Sequence, residues 1–202
     1  AAIIAIILSS SFGLYTWMNN PESQMVAVTV RAGSKAEMAL PDGTFVHLNA
    51  ATNLEYDVNN SKQRLVKLSG EAFFDVAKNP DCPFKVIIND LQIEVVGTSF
   101  NVKTYKKDIV ETSLLSGRIR ISGGSLPHEY TLSPGQKATY SAMDRTLRIS
   151  KADAHVEAGW RDNYLIFEST PLIDVIAQIE RWYGVEIRLH HKQIAQDLLS
   201  GS

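Results

Sequence analysis

The run 65–77, LVKLSGEAFFDVA, constrains this chain more than any other stretch. Read with a period of two, Val66, Leu68, Gly70, Ala72, Phe74 and Val76 share one face, and Lys67, Ser69, Glu71 and Asp75 share the other. Between the end residues Leu65 and Ala77, Phe73 is the one apolar exception on the polar side. Successive strand side chains point to opposite faces, so the pattern predicts a long half-buried β-strand. Gly70 in its middle predicts a bulge or a close approach by a neighbouring backbone. A second run, 93–102, changes apolar parity around Gly97: Ile93 and Val95 precede it, Phe100 and Val102 follow. A one-residue bulge there would return both sets to the core face.

The same grammar fills 25–150. Val26, Val28 and Val30 alternate, as do Ala36, Met38 and Leu40. Pro41-Asp42-Gly43 is a strong turn, with proline presetting φ and glycine supplying a positive φ; the Asp42 side chain is expected on local backbone. Val46 and Leu48 follow, and Asn59-Asn60 turns the chain into the central run. Phe84, Val86 and Ile88 make another strand, then Val110, Thr112 and Leu114, then Ile119 and Ile121, and later Tyr130, Leu132, Ala138, Tyr140, Leu147 and Ile149. Many short strands between turn residues predict a mainly β body, an all-β sandwich or a solenoid-like stack.

Residues 151–159 are polar and read as a linker. Beyond it, 160–202 predicts a small, incomplete α+β unit. Leu165-Ile166-Phe167 is a short strand, Thr170 an N-cap and Pro171 the first helical residue. Leu172, Val175, Ile176, Ile179 and Trp182 follow helical spacing, and Gly184 is the stop. Val185-Glu186-Ile187-Arg188-Leu189 reads as a strand, completing a βαβ unit. An incomplete unit leaves an edge strand and an apolar helix face open, which predicts pairing with another chain, a second copy included.

Residues 1–18 carry no charge. As a helix they span about 27 Å at about 1.5 Å per residue, close to the roughly 30 Å hydrocarbon core. Tyr15 and Trp17 sit where interfacial aromatics belong, and 19–24 then reads as a linker. The segment is expected to be a transmembrane helix truncated at its start; a signal-peptide remnant or a buried helix are the rivals.

Charge is balanced, with 20 Lys plus Arg against 22 Asp plus Glu. That argues against a nucleic-acid surface, which needs a basic face. Cys82 stands alone, which excludes an internal disulfide and a thiolate cage and favours a small buried hydrophobe. No nucleophile-elbow, P-loop, dinucleotide or zinc-protease pattern is present, so no enzyme activity, cofactor or metal is expected. Glu71 and Asp75 lie about 13 Å apart along a strand, too far for paired carboxylates, and read as a solvated face. His190 and His191 fall on opposite strand faces; His47, His128 and His155 are isolated. A rival reading is a membrane-anchored carbohydrate-binding β domain with Tyr105, Tyr130 and Tyr140 as its aromatic platform.

The ordered set Leu40-Pro41-Asp42-Gly43-Thr44, Leu48-Asn49-Ala50, Gly70-Glu71-Ala72-Phe73-Phe74-Asp75-Val76-Ala77, Pro83-Phe84, Val96-Gly97-Thr98-Ser99-Phe100-Asn101-Val102 and Pro134-Gly135-Gln136 resembles the signature of FecR-type anti-sigma regulators. The resemblance favours a twisted, solenoid-like β domain and places it in the periplasm, with the N-terminal side cytoplasmic and a sigma-binding region upstream of Ala1. The βαβ unit resembles the small STN-like domain shared by secretins and TonB-dependent receptors. The resemblance implies as partners the signalling domain of a TonB-dependent outer-membrane receptor, in iron or glycan uptake, and an extracytoplasmic-function sigma factor. Contact is expected through Leu165, Phe167, Val185, Ile187 and Leu189 by strand addition. It also raises two processing sites: intramembrane proteolysis near Ser9-Ser10-Ser11 and Gly13, and self-cleavage at Gly97-Thr98, where a strained bend aims the threonine hydroxyl at the preceding carbonyl.

Overall fold

The alternating segments of 25–150 build two seven-stranded sheets. The computed structural model describes residues 10–11, 24–58 and 64–201. The expected membrane span, save Ser10 and Ser11, and the Asn59-Asn60 turn lie outside these residues. Among the described residues no helix is long and apolar enough to cross a membrane.

In chain order the first strands are β1 (Met25–Val30), β2 (Ala36–Ala39), β3 (Phe45–Leu48), β4 (Thr52–Asp57), β5 (Arg64–Ser69), β6 (Glu71–Asp75) and β7 (Phe84–Ile88). Then come β8 (Leu91–Val95), β9 (Ser99–Lys103), β10 (Ile109–Ser116), β11 (Ile119–Gly123), β12 (Tyr130–Leu132), β13 (Gln136–Ser141) and β14 (Thr146–Lys151). The first sheet runs β1-β4-β5-β7-β8-β11-β12 and the second β14-β13-β10-β9-β6-β3-β2. Every pairing is antiparallel except β5 with β7. Neither sheet closes, and the chain passes back and forth between them every one or two strands. The body is therefore a sandwich with the coiling path of a solenoid.

The inward side chains of both sheets form one core, with Val46, Leu48, Leu54, Val66, Phe74, Phe84, Val86, Ile93, Phe100, Ile119 and Ile121 almost wholly buried. The Phe74 ring lies 5.2 Å from that of Phe100 and 5.8 Å from that of Phe84, so the rings bridge both sheets.

Two expectations about strand continuity are corrected. The run 65–77 is not one bulged strand: β5 belongs to the first sheet and β6 to the second, and Gly70 is the corner between them. Its φ is +113°, and a Cβ there would lie 2.6 Å from the Thr52 Cα and 2.9 Å from the Ala51 carbonyl oxygen. Likewise Gly97 makes no bulge; it turns the chain from β8 in the first sheet to β9 in the second, with its Cα face pressed on Lys78. Inward residues stay inward around a corner as they do past a bulge, so periodicity describes both equally well.

The segment read as a linker is ordered. β14 extends to Lys151, α1 (Ala154–Ala158) follows, and a 3₁₀ turn covers Gly159–Asp162. Ala158 and Trp160 are buried on Phe73, so this piece is a strap over the second sheet. Beyond it, β15 (Phe167–Pro171) leads into α2 (Leu172–Tyr183), capped by Gly184 in the left-handed region with its N–H on the Glu180 carbonyl. Thr170 does not cap α2. Its hydroxyl donates to the Glu168 carbonyl, Pro171 holds the N-cap position, and the Leu172 N–H donates to the Asp197 carbonyl at 2.8 Å. Residues 185–189 carry no regular secondary structure and join no ladder. The partner of β15 is β16 (Leu198–Gly201), antiparallel, so the small α+β unit keeps the expected strand–helix–strand order with its second strand at 198–201 instead of 185–189.

Candidate functional site

Side chains on the outer face of the second sheet are normally solvated, and Glu71, Phe73 and Asn101 are on that face. Here the strap and α2 cover it. Glu71 is 6% exposed and Phe73 3% exposed, which overturns the reading of Glu71 as a solvated carboxylate. Asp75, on the same side but beyond the strap, remains exposed and accepts a bond from the Ser99 hydroxyl.

Glu71 is fully committed. The Asn49 side-chain amide donates to Oε2 at 2.8 Å and the Asn101 amide to Oε1 at 3.0 Å. The Glu71 N–H donates to the Thr52 hydroxyl at 3.0 Å, and its carbonyl accepts the Asn49 N–H at 2.9 Å. Burial pushes the carboxyl above the usual range, against the opposing pull of Lys103, the two amides and Arg181. Beside it, the Tyr105 hydroxyl donates to the Ala50 carbonyl at 2.5 Å, and burial, then the Glu71 charge, holds that phenol well above its ordinary value.

The C-terminal unit is fastened around this buried cluster. The Trp160 indole N–H donates to Asn101 Oδ1 at 3.1 Å, and the Arg161 guanidinium sits over the Phe73 ring. From the β1–β2 turn, Lys35 donates to the Trp160 carbonyl at 2.5 Å and to Asn163 Oδ1 at 3.0 Å, with its ammonium 3.5 Å from the centre of the Trp182 ring. Burial lowers the Lys35 pKa, and the Glu71 charge pulls it back up. The Gly33 N–H donates to the Arg181 carbonyl at 2.8 Å. Lys106 reaches Asp174 at 2.7 Å, and Arg181 lies over Tyr105.

Between these fastenings is a cleft of about 440 Å³ running from Glu71 to the β15 backbone at Glu168–Pro171. Its charges answer each other: Lys137 pairs with Glu157 at 2.8 Å and with Glu111 at 3.3 Å, and Lys103 approaches Glu111 at 3.9 Å. Burial draws the Lys137 pKa down, but these two carboxylates outweigh it and hold the amine above its ordinary value. Among the described residues no group of three or more His, Cys, Asp or Glu side chains is arranged to hold a metal ion. What the arrangement does is fix one body against another through polar contacts around a polar-lined cleft.

The sequence-derived site residues fall in three places. Phe74 and Phe100 are core. Glu71, Phe73 and Asn101 form the joint. Asp42, Gly43, Gly97 and Thr98 lie at the sandwich corners. Asp42 takes the local role expected, accepting the Thr44 N–H at 2.9 Å and the Thr44 hydroxyl at 2.8 Å. Arg64, which no motif or periodicity marks, ties these corners together. It is buried and donates to Asp42 at 3.2 Å, to the Ala77 and Cys82 carbonyls at 2.7 Å each, and more loosely to Asn79 and Val96. Cys82 is half-buried rather than buried. The Thr98 hydroxyl donates to the Arg118 carbonyl at 3.1 Å. Tyr105, Tyr130 and Tyr140 do not make a platform: Tyr140 is a core residue bonded to the Gly124 carbonyl, Tyr130 stacks on His128, and Tyr105 is under Arg181. The contact candidates Leu165, Phe167, Val185, Ile187 and Leu189 all lie on the C-terminal unit; Val185 is 50% exposed and Ile187 36%, the other three half-buried.

Comparison with known proteins agrees with this architecture. The family model described as FecR protein matches residues 26–120, and the one described as FecR, C-terminal matches 164–202. Two crystal structures of a candidate anti-sigma factor from Parabacteroides distasonis ATCC 8503, at 1.65 Å and 2.50 Å resolution, superpose with a TM-score of 0.80 each and 31% sequence identity. The alignment covers 87% and 88% of this chain and 83% and 84% of theirs. No curated protein matches the sequence.

Proposed function

This chain belongs to the FecR family of anti-sigma regulators, and on that premise we propose that it is the mainly periplasmic part of a single-pass inner-membrane regulator. The signalling domain of a TonB-dependent outer-membrane receptor docks on its C-terminal unit, and the contact governs an extracytoplasmic-function sigma factor on the cytoplasmic side. The uncharged stretch 1–18 supports the membrane anchor. The protein works by contact and not by bond chemistry.

The observation that carries the reading is the open C-terminal hairpin. Among the described residues β15 and β16 pair only with each other, so each leaves one edge outside a ladder there. Leu198 is 63% exposed, and Leu199, Val185 and Ile187 of the same unit are exposed as well. An unpaired edge with apolar side chains nearby suits an added strand, whose main-chain bonds give affinity and whose side chains give choice. Leu165, Phe167 and Leu189 complete the contact.

Placing a photo-crosslinking residue at Val185 in cells tests this. A ligand-dependent crosslink to the periplasmic part of an outer-membrane receptor is the expected result, with none from the same residue at Lys67 on the solvated face of the first sheet. Equal crosslinking from both positions, or none to a receptor from Val185, overturns the proposal.

A further inference from the structure

The four side-chain bonds around Glu71 run in one direction only. The Ala50 N–H donates to Asn49 Oδ1 at 2.8 Å, which leaves the Asn49 amide nitrogen facing Glu71 Oε2. The Trp160 indole N–H, a donor with no acceptor capacity, points at Asn101 Oδ1 at 3.1 Å, which leaves the Asn101 amide nitrogen facing Glu71 Oε1. Each amide is thus pinned at its far end by an N–H, and neither can flip without setting donor against donor. The residue between them must accept at both oxygens, which the glutamate carboxyl can do and a glutamine amide, with one end a pure donor, cannot.

We propose that Glu71 is a positioning residue that locks the C-terminal unit onto the sandwich, acting through the Asn101 amide on the Trp160 indole. The lock joins the corner at Gly70, where the chain changes sheets, to the strap that carries α2 and the open hairpin. Because Glu71 borders the cleft, the lock lies against the gap that separates the two bodies. It does not depend on what the hairpin binds.

Glu71→Gln tests it, since glutamine keeps the shape and supplies one acceptor in place of two. Its amide must meet either Asn49 or Asn101 nitrogen to nitrogen, and a buried donor left without an acceptor is costly. In the 202-residue chain in mild detergent, deuterium exchange of the backbone amides in 156–163 and 172–183 should accelerate about tenfold or more, with 84–88 in the first sheet unchanged. Trp160→Phe keeps a ring on Phe73 and removes the indole donor, freeing Asn101 to flip. In that background Glu71→Gln should change the same amides less than about twofold, the expectation for residues no longer coupled. Should Glu71→Gln alone fail to fold, the double variant should recover the folded sandwich. Unchanged exchange in Glu71→Gln, an equal effect in both backgrounds, or failure of the double variant to fold overturns the lock.

Discussion

The Arg161 guanidinium is centred 3.6 Å from the middle of the Phe73 ring, so the one apolar residue on the polar side of β6 is the seat of the strap. Phe73→Ala should cost about 3 kcal/mol in urea unfolding, as for a large buried aromatic. Arg161→Ala should cost about 1 kcal/mol, the worth of a partly exposed cation–π contact. A Phe73→Ala loss no greater than that of Arg161→Ala would show that the ring is not a seat.

Arg64 gathers the carbonyls of Ala77 and Cys82 and the Asp42 carboxylate at one buried point. Arg64→Leu strands these acceptors and should lower stability by about 3–5 kcal/mol, the range for removing one partner of a buried charged cluster. Arg64→Lys should not restore it, because an ammonium cannot match a forked set of donors. Urea denaturation of the three proteins decides this, and a lysine variant as stable as the parent would refute the fork.

At the Gly70 corner a Cβ meets the Thr52 hydroxyl and also backbone, the Thr52 Cα and the Ala51 carbonyl oxygen, which cannot swing aside. Gly70→Ala should therefore destabilise by about 3 kcal/mol or more, combining steric overlap with an unfavourable φ. The control is Gly135→Ala, where a Cβ meets nothing within 4 Å; φ is also positive there, so the control isolates the steric part. Equal losses in thermal unfolding would remove the steric argument.

Burial raises the Glu71 pKa above its ordinary value of 4.5. The stability linked to a raised pKa is fully present below the unfolded value and is lost as pH rises through the folded one. Wild type should accordingly gain stability relative to Glu71→Gln as pH falls from neutral toward 4.5, the other carboxylates cancelling in the difference. Melting temperatures of the pair across that interval provide the check; a flat difference would mean the carboxyl titrates normally.

The Thr98 hydroxyl is held between the carbonyl and N–H of Arg118, at 3.1 Å and 3.4 Å. Intact-mass measurement of the purified chain should give one uncut species over days. A pair of fragments divided between Gly97 and Thr98 would show that this hydroxyl leaves Arg118 and attacks.

Much of the β body was legible because one face of each strand is buried, which writes the core into alternate positions. Phe74, Phe84 and Phe100 are found where that rule puts them, and Pro41-Asp42-Gly43 and Gly184 turn the chain by local backbone preference alone. The corners were not legible, since Gly70 keeps inward residues inward whether the chain bulges or changes sheets. Glu71 was misread because what covers it lies far along the chain, at Trp160. The signal available was Phe73, an apolar side chain of the wrong parity, which marks a second covered face. Residues 185–189 have strand composition, but their neighbour Glu180 takes up the backbone: its carbonyl accepts the Val185 N–H and its carboxylate the Ile187 N–H, so no ladder forms.

The bond from the Gly33 N–H to the Arg181 carbonyl joins the end of α2 to the turn just after β1. The end of α2 is therefore one backbone bond away from the turn that follows β1.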